Sequence, residues 1–420
     1  MGISQTERED LAFNLGQVFR PTMPINREDL FSGRQAQVRE VADAINQAGQ
    51  HLILYGERGV GKTSLANMIM YRLQCPDRFI MTPHVNCSSL RTQHDIWMGV
   101  LDDIQFRADR GKVELPRPVR KLASDFENQL RAEFTPELAR RLVENLADRM
   151  AIVIIIDEFD TLADEITRRN IAETIKYFSD RNVPATIVLV GVAEDVRTLV
   201  IDHQSVGRCL AQVRMPRMNR DEIEAIVSTS LKNVGMSIEP GALHEISRIA
   251  KGLPHYGHLL GLHAGRHAVD EGSKRIYQPH LMAAIRAAIQ KAQVVIQTAY
   301  QKATISTKRN ALYKQVLLAC SLAETDEFGY LSPSDVRQPL ERILKREYGV
   351  EAFARHLHTF CLEDRGPVLK KADLTNRPRF RFSDPLMQPF VMMKGLDERI
   401  INEDDLKATR DPEDPQGRLF

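Results

Sequence analysis

One stretch constrains this chain more than any other. Gly56-Glu57-Arg58-Gly59-Val60-Gly61-Lys62-Thr63 is a complete G-x-x-x-x-G-K-[ST] run. It follows an apolar strand-like run, Leu52-Ile53-Leu54-Tyr55, and Ser64 continues into a helical pattern. That is the context in which such a loop cradles phosphate. Glycines let successive backbone N–H groups turn toward phosphate oxygens. The following helix N-terminus adds partial positive charge. In this arrangement Lys62 is placed to reach the β- and γ-phosphates, and the Thr63 hydroxyl to meet Mg²⁺.

The surrounding pattern is that of a doubly wound α/β domain. Strands are expected at His51–Tyr55, Phe79–Asn86, Ala151–Ile156, Ala185–Val192 and Leu210–Met215. Several are continuously apolar, as strands covered on both faces are. Five strands with crossover helices predict a parallel five-stranded sheet over residues 35–217. Residues 1–34, with Pro21, Pro24 and Gly33, read as an irregular lead-in. Past Asn219 the strand patterns stop, and helical patterns over 220–234, 241–250, 254–270 and 278–297 predict an all-helical lid over 218–300.

A third unit is expected over 301–395. Helices over Lys308–Ala323, from Ser332 onward and over Val350–Leu362 precede two short strands, Val368–Lys371 and Arg379–Phe382, around a Thr375-Asn376 turn. That is the element order of a winged helix. This unit holds 16 Lys/Arg against 11 Asp/Glu, whereas residues 396–420 hold 4 against 8. The basic balance points to an acidic partner such as nucleic acid, and the acidic end reads as a flexible tail. Strand alternation puts Phe380 and Phe382 inward and Arg379 and Arg381 outward. Exposed, these arginines with Lys370 and Lys371 form a candidate phosphate-contacting wing for DNA. Arg355, His356 and His358 lie on the candidate recognition helix.

Asp157-Glu158 ends the apolar strand Ile152–Ile156, 95 positions after Lys62. Asp157 there is placed to hold the Mg²⁺ hydration shell, and Glu158 to orient and polarise an attacking water. Asp160 reads as the cap of the next helix. The five cysteines are scattered with no C-x-x-C pair, so a zinc or redox site is not expected. No apolar run approaches a membrane span, and the N-terminus lacks the layout of a signal peptide. A cytoplasmic chain is the expectation.

From about Leu30 to Phe390 the chain resembles the AAA+ ATPases, both the origin-recognition and archaeal initiator group and the STAND signalling NTPases with their archaeal cousins. Phe31-Ser32-Gly33-Arg34 is similar to their F-x-G-R lead-in near the adenine. Ser205-Val206-Gly207-Arg208 is similar to the segment carrying an arginine finger, with Arg214 and Arg217 as alternatives. Gly252-Leu253-Pro254-His255 resembles the G-L-P motif of the STAND group, whose proline lies against adenine. His255 stands where initiators carry a sensor arginine, and no polar first sensor follows the fourth strand near Ala193 or Glu194.

The resemblance implies ATP and Mg²⁺ bound by residues 56–64 (Gly56, Glu57, Arg58, Gly59, Val60, Gly61, Lys62, Thr63, Ser64), with Asp157, Pro254 and His255. Thr63 and Asp157 would serve the metal, and Glu158 and Arg208 catalysis. It also implies slow hydrolysis, an ATP-dependent homo-oligomer, and either DNA association or control of a separate effector protein.

Overall fold

The computed structural model describes residues 3–24, 33–72, 79–109, 135–147, 150–192, 206–307, 311–326, 328–372 and 378–407. Its first element corrects the irregular lead-in. Helix α1 (Gln5–Val18) starts at an N-cap Ser4 whose hydroxyl accepts from the Glu7 N–H. Leu11, Leu15, Val18 and the following Phe19 are buried.

The core begins with α2 (Gln35–Asn46), β1 (His51–Tyr55) and α3 (Lys62–Arg72). The expected second strand is two short ones, β2 (Phe79–Met81) and β3 (His84–Asn86). The break falls at Thr82-Pro83. Proline has no N–H for the ladder, and the Pro83 carbonyl instead accepts from Ile155 N–H at 2.8 Å. Then come α4 (Gln93–Asp109), α5 (Pro136–Ala147), β4 (Met150–Asp157), α6 (Glu165–Asp180), β5 (Ala185–Gly191) and β6 (Leu210–Arg214).

All the sheet pairings are parallel, in the order β2-β4-β5-β1-β6, with β3 also on β4. The five expected strand positions therefore hold, one of them broken. β1 lies inside the sheet with Leu52, Ile53 and Leu54 fully buried, so the loop after it starts from a fixed point.

The lid comprises α7 (Arg220–Asn233), α8 (Pro240–Ala250), α9 (Pro254–Asp270) and α10 (Gln278–Gln290). It is not purely helical. A two-residue parallel ladder joins β7 (Ser237–Ile238) to β8 (Arg275–Ile276), tying the loops that lead into α8 and α10. α7 opens with a reciprocal cap between Asn219 and Glu222. Glu222 also accepts from Arg34 N–H at 2.8 Å, which joins lid to core.

Helix α11 (Val294–Thr304) runs across the expected boundary at 300. The third unit then shows α12 (Tyr313–Leu322), α13 (Pro333–Leu344), α14 (Val350–Thr359) and an antiparallel hairpin of β9 (Leu369–Lys371) and β10 (Phe380–Phe382). This is the helix and strand order expected, with Leu331 bridging onto Phe380; Thr375-Asn376 lies outside the described residues. Helix α15 (Met387–Asp397) and a short α16 (Glu403–Lys407) follow. The expected flexible tail does not begin at Leu396. Leu396, Ile401 and Leu406 are buried, and α16 packs on α8. Residues 408–420 lie outside the described part. Among the described residues, no helix is long and apolar enough to cross a membrane.

α1 docks on α9 where that helix has no side chains. A Cβ at Gly261 would stand 2.5 Å from Phe19 Cε1, and one at Gly265 2.9 Å from a Leu15 methyl. Small residues four apart let the two backbones approach closely. Gly261→Ala should therefore cost about 1–3 kcal/mol by overpacking, measured by urea denaturation. The cost should shrink in a Phe19→Ala background, since the two sites share one contact. Equal losses in both backgrounds would mean that α1 does not depend on this contact.

Candidate functional site

One cleft of about 820 Å³ opens above the C-terminal edge of the sheet. Its walls come from the phosphate loop, the ends of β4 and β5, the start of α9, the segment Arg20–Pro24, and the hairpin with the residues after it. The volume is that of a small-molecule site.

The loop between β1 and α3 forms the floor. Gly59 (φ +85°) and Gly61 (φ +98°) hold backbone conformations that side-chain-bearing residues rarely adopt. Glu57, Arg58, Gly59, Gly61, Lys62, Thr63 and Ser64 line the cleft. Val60 is buried beneath it, and its carbonyl accepts from Arg34 Nη2 at 3.1 Å. The same Arg34 guanidinium donates to the Pro216 carbonyl at 2.5 Å. Arg34, expected near the adenine, is thus a buried brace under the loop. Phe31 and Ser32 lie outside the described residues.

Lys62 is buried, with Nζ donating to the Gly56 and Glu57 carbonyls at 3.0 and 2.8 Å. Burial pushes its pKa down to about 8, partly opposed by Asp160, Asp157 and Glu57. A cationic Lys62 is therefore held beside the loop, as an anion site requires.

Asp157 ends β4 in a buried position. Burial pushes its carboxyl up, but hydrogen bonds from His84, Thr63 and the Glu158 N–H outweigh that and leave it below the usual carboxylate range. Glu158 N donates to Asp157 Oδ1 at 2.7 Å, and His84 Nε2 lies 3.5 Å from Oδ2. The hydroxyl–carboxylate pair Thr63 and Asp157 is a hard oxygen set of the kind that suits Mg²⁺ through water. Glu158 is exposed, lines the cleft, and sits at φ +55°. A non-glycine residue in that region is strained, and such strain gathers at functional sites.

Asp160 is a residue that sequence reasoning misplaced. The cap of α6 is Asp164, which accepts from Ile166 and Thr167 N–H groups. Asp160 instead lines the cleft and accepts from Val192 N–H at 2.7 Å, joining the end of β4 to the end of β5. The first-sensor positions Ala193 and Glu194 lie outside the described residues.

Pro254 opens α9 beside the loop, its ring 3.9 Å from where a Gly61 Cβ would be. His255 also lines the cleft, with Nδ1 2.6 Å from the Pro21 carbonyl. A carbonyl can only accept, so Nδ1 carries the proton. Burial holds the ring's pKa down, although the Pro21 carbonyl opposes this. Neutral with Nδ1 protonated, His255 presents a bare Nε2 acceptor. In that state Nε2 can take a hydrogen bond from a hydroxyl or amine, and His255 lacks the fixed charge of an arginine.

Arg208 is exposed in the turn before β6 and is not among the residues lining this cleft. Both alternatives are engaged inside the chain. Arg214 stacks 4.4 Å above the Phe328 ring. Arg217 donates to Glu57 Oε2 at 2.6 Å, to the Lys251 carbonyl at 3.3 Å and to Gln388 Oε1 at 2.6 Å.

The wing departs from expectation. Phe380 and Phe382 are buried as predicted, but the arginines on the other face are not free in solvent. Arg379 pairs with Asp326 at 2.9 Å, and Arg381 stacks 5.2 Å from the Tyr330 ring centroid. Lys370 and Arg381 line the cleft, while Lys371 is exposed and outside it. Alternation assigned the faces correctly. The partners on the arginine face, Asp326 and Tyr330, belong to the same C-terminal unit, which also packs against the loop: Leu386 lies 3.4 Å from a Cβ position at Gly59, and its carbonyl accepts from Tyr256 Oη at 2.7 Å.

Residues 45–200 match the AAA domain family. None of the curated proteins searched matched the sequence. Two similar solved structures are the Aeropyrum pernix ORC2 protein in ADPNP–ADP complexes and a Walker-type ATPase of Pyrococcus abyssi. The first is 14% identical with a TM-score of 0.53, covering 93% of this chain and 98% of that one. The second is 15% identical with a TM-score of 0.54, covering 89% and 99%. The chain shares the fold of these two structures over most of its length, with the AAA domain match inside it.

A pH dependence follows from Lys62. In the free protein its ammonium is lost as pH rises through about 8, whereas a bound phosphate holds it charged. Nucleotide affinity should be flat below about pH 7.5 and fall about tenfold by pH 9. Titration calorimetry at several pH values checks this, and an affinity independent of pH over that range would contradict it.

Proposed function

We propose that this AAA+ chain is an ATP·Mg²⁺-controlled switch that hydrolyses ATP slowly and assembles with copies of itself. One observation carries the reading: the C-terminal hairpin and the segment after it wall the same cleft as Lys62, Asp157 and Glu158. Whatever occupies that cleft touches the core, the lid and the C-terminal unit at once.

The residues present fit the nucleotide. The loop amides and Lys62 bind and orient the β- and γ-phosphates, and the Aeropyrum relative of the same fold is described with ADPNP and ADP. Asp157 and Thr63 hold the Mg²⁺ shell, which supplies charge neutralisation on the phosphates. Pro254, with the bare acceptor of His255, packs against the base and ribose end. Glu158 orients the attacking water and takes its proton. His255 lacks the fixed positive charge of an arginine at that position, and slow turnover is the consequence expected. Arg208, exposed and outside its own cleft, supplies that charge to a neighbouring subunit.

In this reading Lys62→Ala abolishes ATP binding. Glu158→Gln keeps ATP binding, loses about 10²–10⁴-fold in turnover, and traps any ATP-dependent assembly in gel filtration. Arg208→Ala mixed with Lys62→Ala protein recovers part of the lost activity, because one interface type then has both intact halves. Unchanged turnover in Glu158→Gln would reduce it to a strand-end carboxylate. Absence of rescue in a co-assembled mixture would remove the role of Arg208 across subunits.

A second reading adds duplex DNA, since Arg355 and His358 are exposed on α14, the helix preceding the hairpin. Each phosphate contact should add about −0.9 to the salt-dependence slope. Arg355→Ala should then weaken duplex binding and flatten that slope by about one unit in fluorescence anisotropy. If the protein with ATP binds no duplex at low salt, control of a separate effector protein becomes the better account of its output.

A further inference from the structure

The hairpin holds two cations side by side. In the antiparallel register Arg381 stands directly opposite Lys370. Directly opposed like charges on one sheet face repel, so the arrangement favours an anion on that face. Lys370 is exposed and Arg381 half-buried, and both line the cleft above the phosphate loop. The opposite face carries Phe380, Phe382 and Leu369, all buried. Strand alternation therefore puts Lys370 and Arg381 together on the other face.

The cleft's other cations are engaged as well: Lys62 rests on the Gly56 and Glu57 carbonyls, Arg58 lies 3.8 Å from Asp384, and Arg20 Nε donates to the Gln17 carbonyl at 3.1 Å. Asp384 itself sits just past β10, and the segment reaching Leu386 contacts the loop at Gly59. The segment after the hairpin thus reaches both the phosphate loop and the start of α9, where Tyr256 Oη donates to the Leu386 carbonyl.

We propose that Lys370 and Arg381 bind the polyphosphate of the nucleotide in cis, together with Lys62 in the one cleft. This rests on the ATP reading above and deepens it. The phosphates then bridge the AAA core and the C-terminal unit. A triphosphate, longer and more highly charged than a diphosphate, engages the hairpin pair more fully. The positive charge that the His255 position does not supply comes instead from β9 and β10. The same two side chains, spent on nucleotide, are then not a wing for DNA phosphates.

The test compares ATP and ADP affinities by titration calorimetry on the full chain. Lys370→Ala, Arg381→Gln and Arg381→Lys are set beside Lys62→Ala and, as a charge-loss control in the same unit, Lys302→Ala. Lys370→Ala and Arg381→Gln should each weaken ATP binding about five- to tenfold, as loss of one charge-assisted contact does, and ADP binding less. Arg381→Lys should recover much of the loss, and Lys302→Ala should match wild type.

Arg381 stacks on Tyr330, so Arg381→Gln is checked by its melting curve; if it unfolds, the exposed Lys370→Ala decides alone. Wild-type ATP affinity in Lys370→Ala and Arg381→Gln, with binding lost in Lys62→Ala, would overturn the proposal and leave the ATP reading intact. So would loss of duplex DNA binding at unchanged ATP affinity. If wild type binds no ATP, or Lys62→Ala binds it equally well, the ATP reading fails and takes the proposal with it.

Discussion

Arg217 is the point at which the three units of this chain meet. Its guanidinium donates to Glu57 in the phosphate loop, to the Lys251 carbonyl at the end of a lid helix, and to Gln388 at the start of α15. Gln388 is buried and passes the connection on, donating to the Ser321 carbonyl at 3.1 Å. Both charged side chains of the Arg217–Glu57 pair are mostly withdrawn from water, at 16% and 17% exposed. Hydrogen bonds to charged groups in such places contribute about 1.5–3 kcal/mol each. The planar fork of arginine makes three directions of donation from one side chain feasible, which lysine could not reproduce. With Arg34 bracing Val60 from below, the loop is held from two sides. Its glycine backbone can then keep a conformation suited to phosphate without collapsing onto its own donors.

How much of this was legible in the sequence depended on how local each signal was. The phosphate loop, the apolar β4 and Asp157-Glu158 are short-range patterns whose chemistry lies within a few residues, and the structure places them at one cleft. α1 was missed because its partner is remote. Leu15 and Phe19 are ordinary apolar residues until Gly261 and Gly265, some 245 positions later, are seen to leave room for them. Asp160 was misassigned for a subtler reason. Asp160 and Asp164 both precede the same helix, and an acidic residue ahead of a helix satisfies the capping rule equally well on paper. Only the backbone shows that Asp164 is the cap and that Asp160 is turned to Val192.

The hairpin shows the limit of periodicity more sharply. Alternation correctly separated Phe380 and Phe382 from Arg379 and Arg381. It cannot say what lies beyond the second face, because a strand in a small unit has two coverable faces whenever that unit docks on another. Sequence composition points outward to an acidic macromolecule, since +5 over residues 301–395 is a property of the unit and not of its neighbours. Lys370 and Arg381 instead line the cleft above the phosphate loop.

The walls of the cleft differ in how firmly they are held, and this decides which one can yield. The N-terminal wall, Arg20–Pro24, is fixed through the His255–Pro21 hydrogen bond and by Phe19, buried on α9 and edge-to-face with His258. The wall formed by the hairpin has two kinds of anchor. Close to the cleft it has the Arg58–Asp384 pair, 3.8 Å long with Arg58 63% exposed, which is worth little in water. Further back it has Tyr256 Oη on the Leu386 carbonyl and the Arg217–Gln388 bond, both withdrawn from solvent. The segment after β10 is thus held firmly at Leu386 and Gln388 and only weakly at Asp384. Lys370 and Arg381, one on each strand of the hairpin, line the same cleft as the phosphate loop, so the charge in the cleft acts on this wall. Leu386 and Gln388 join that wall to α15, whose buried residues form the spine of the C-terminal unit.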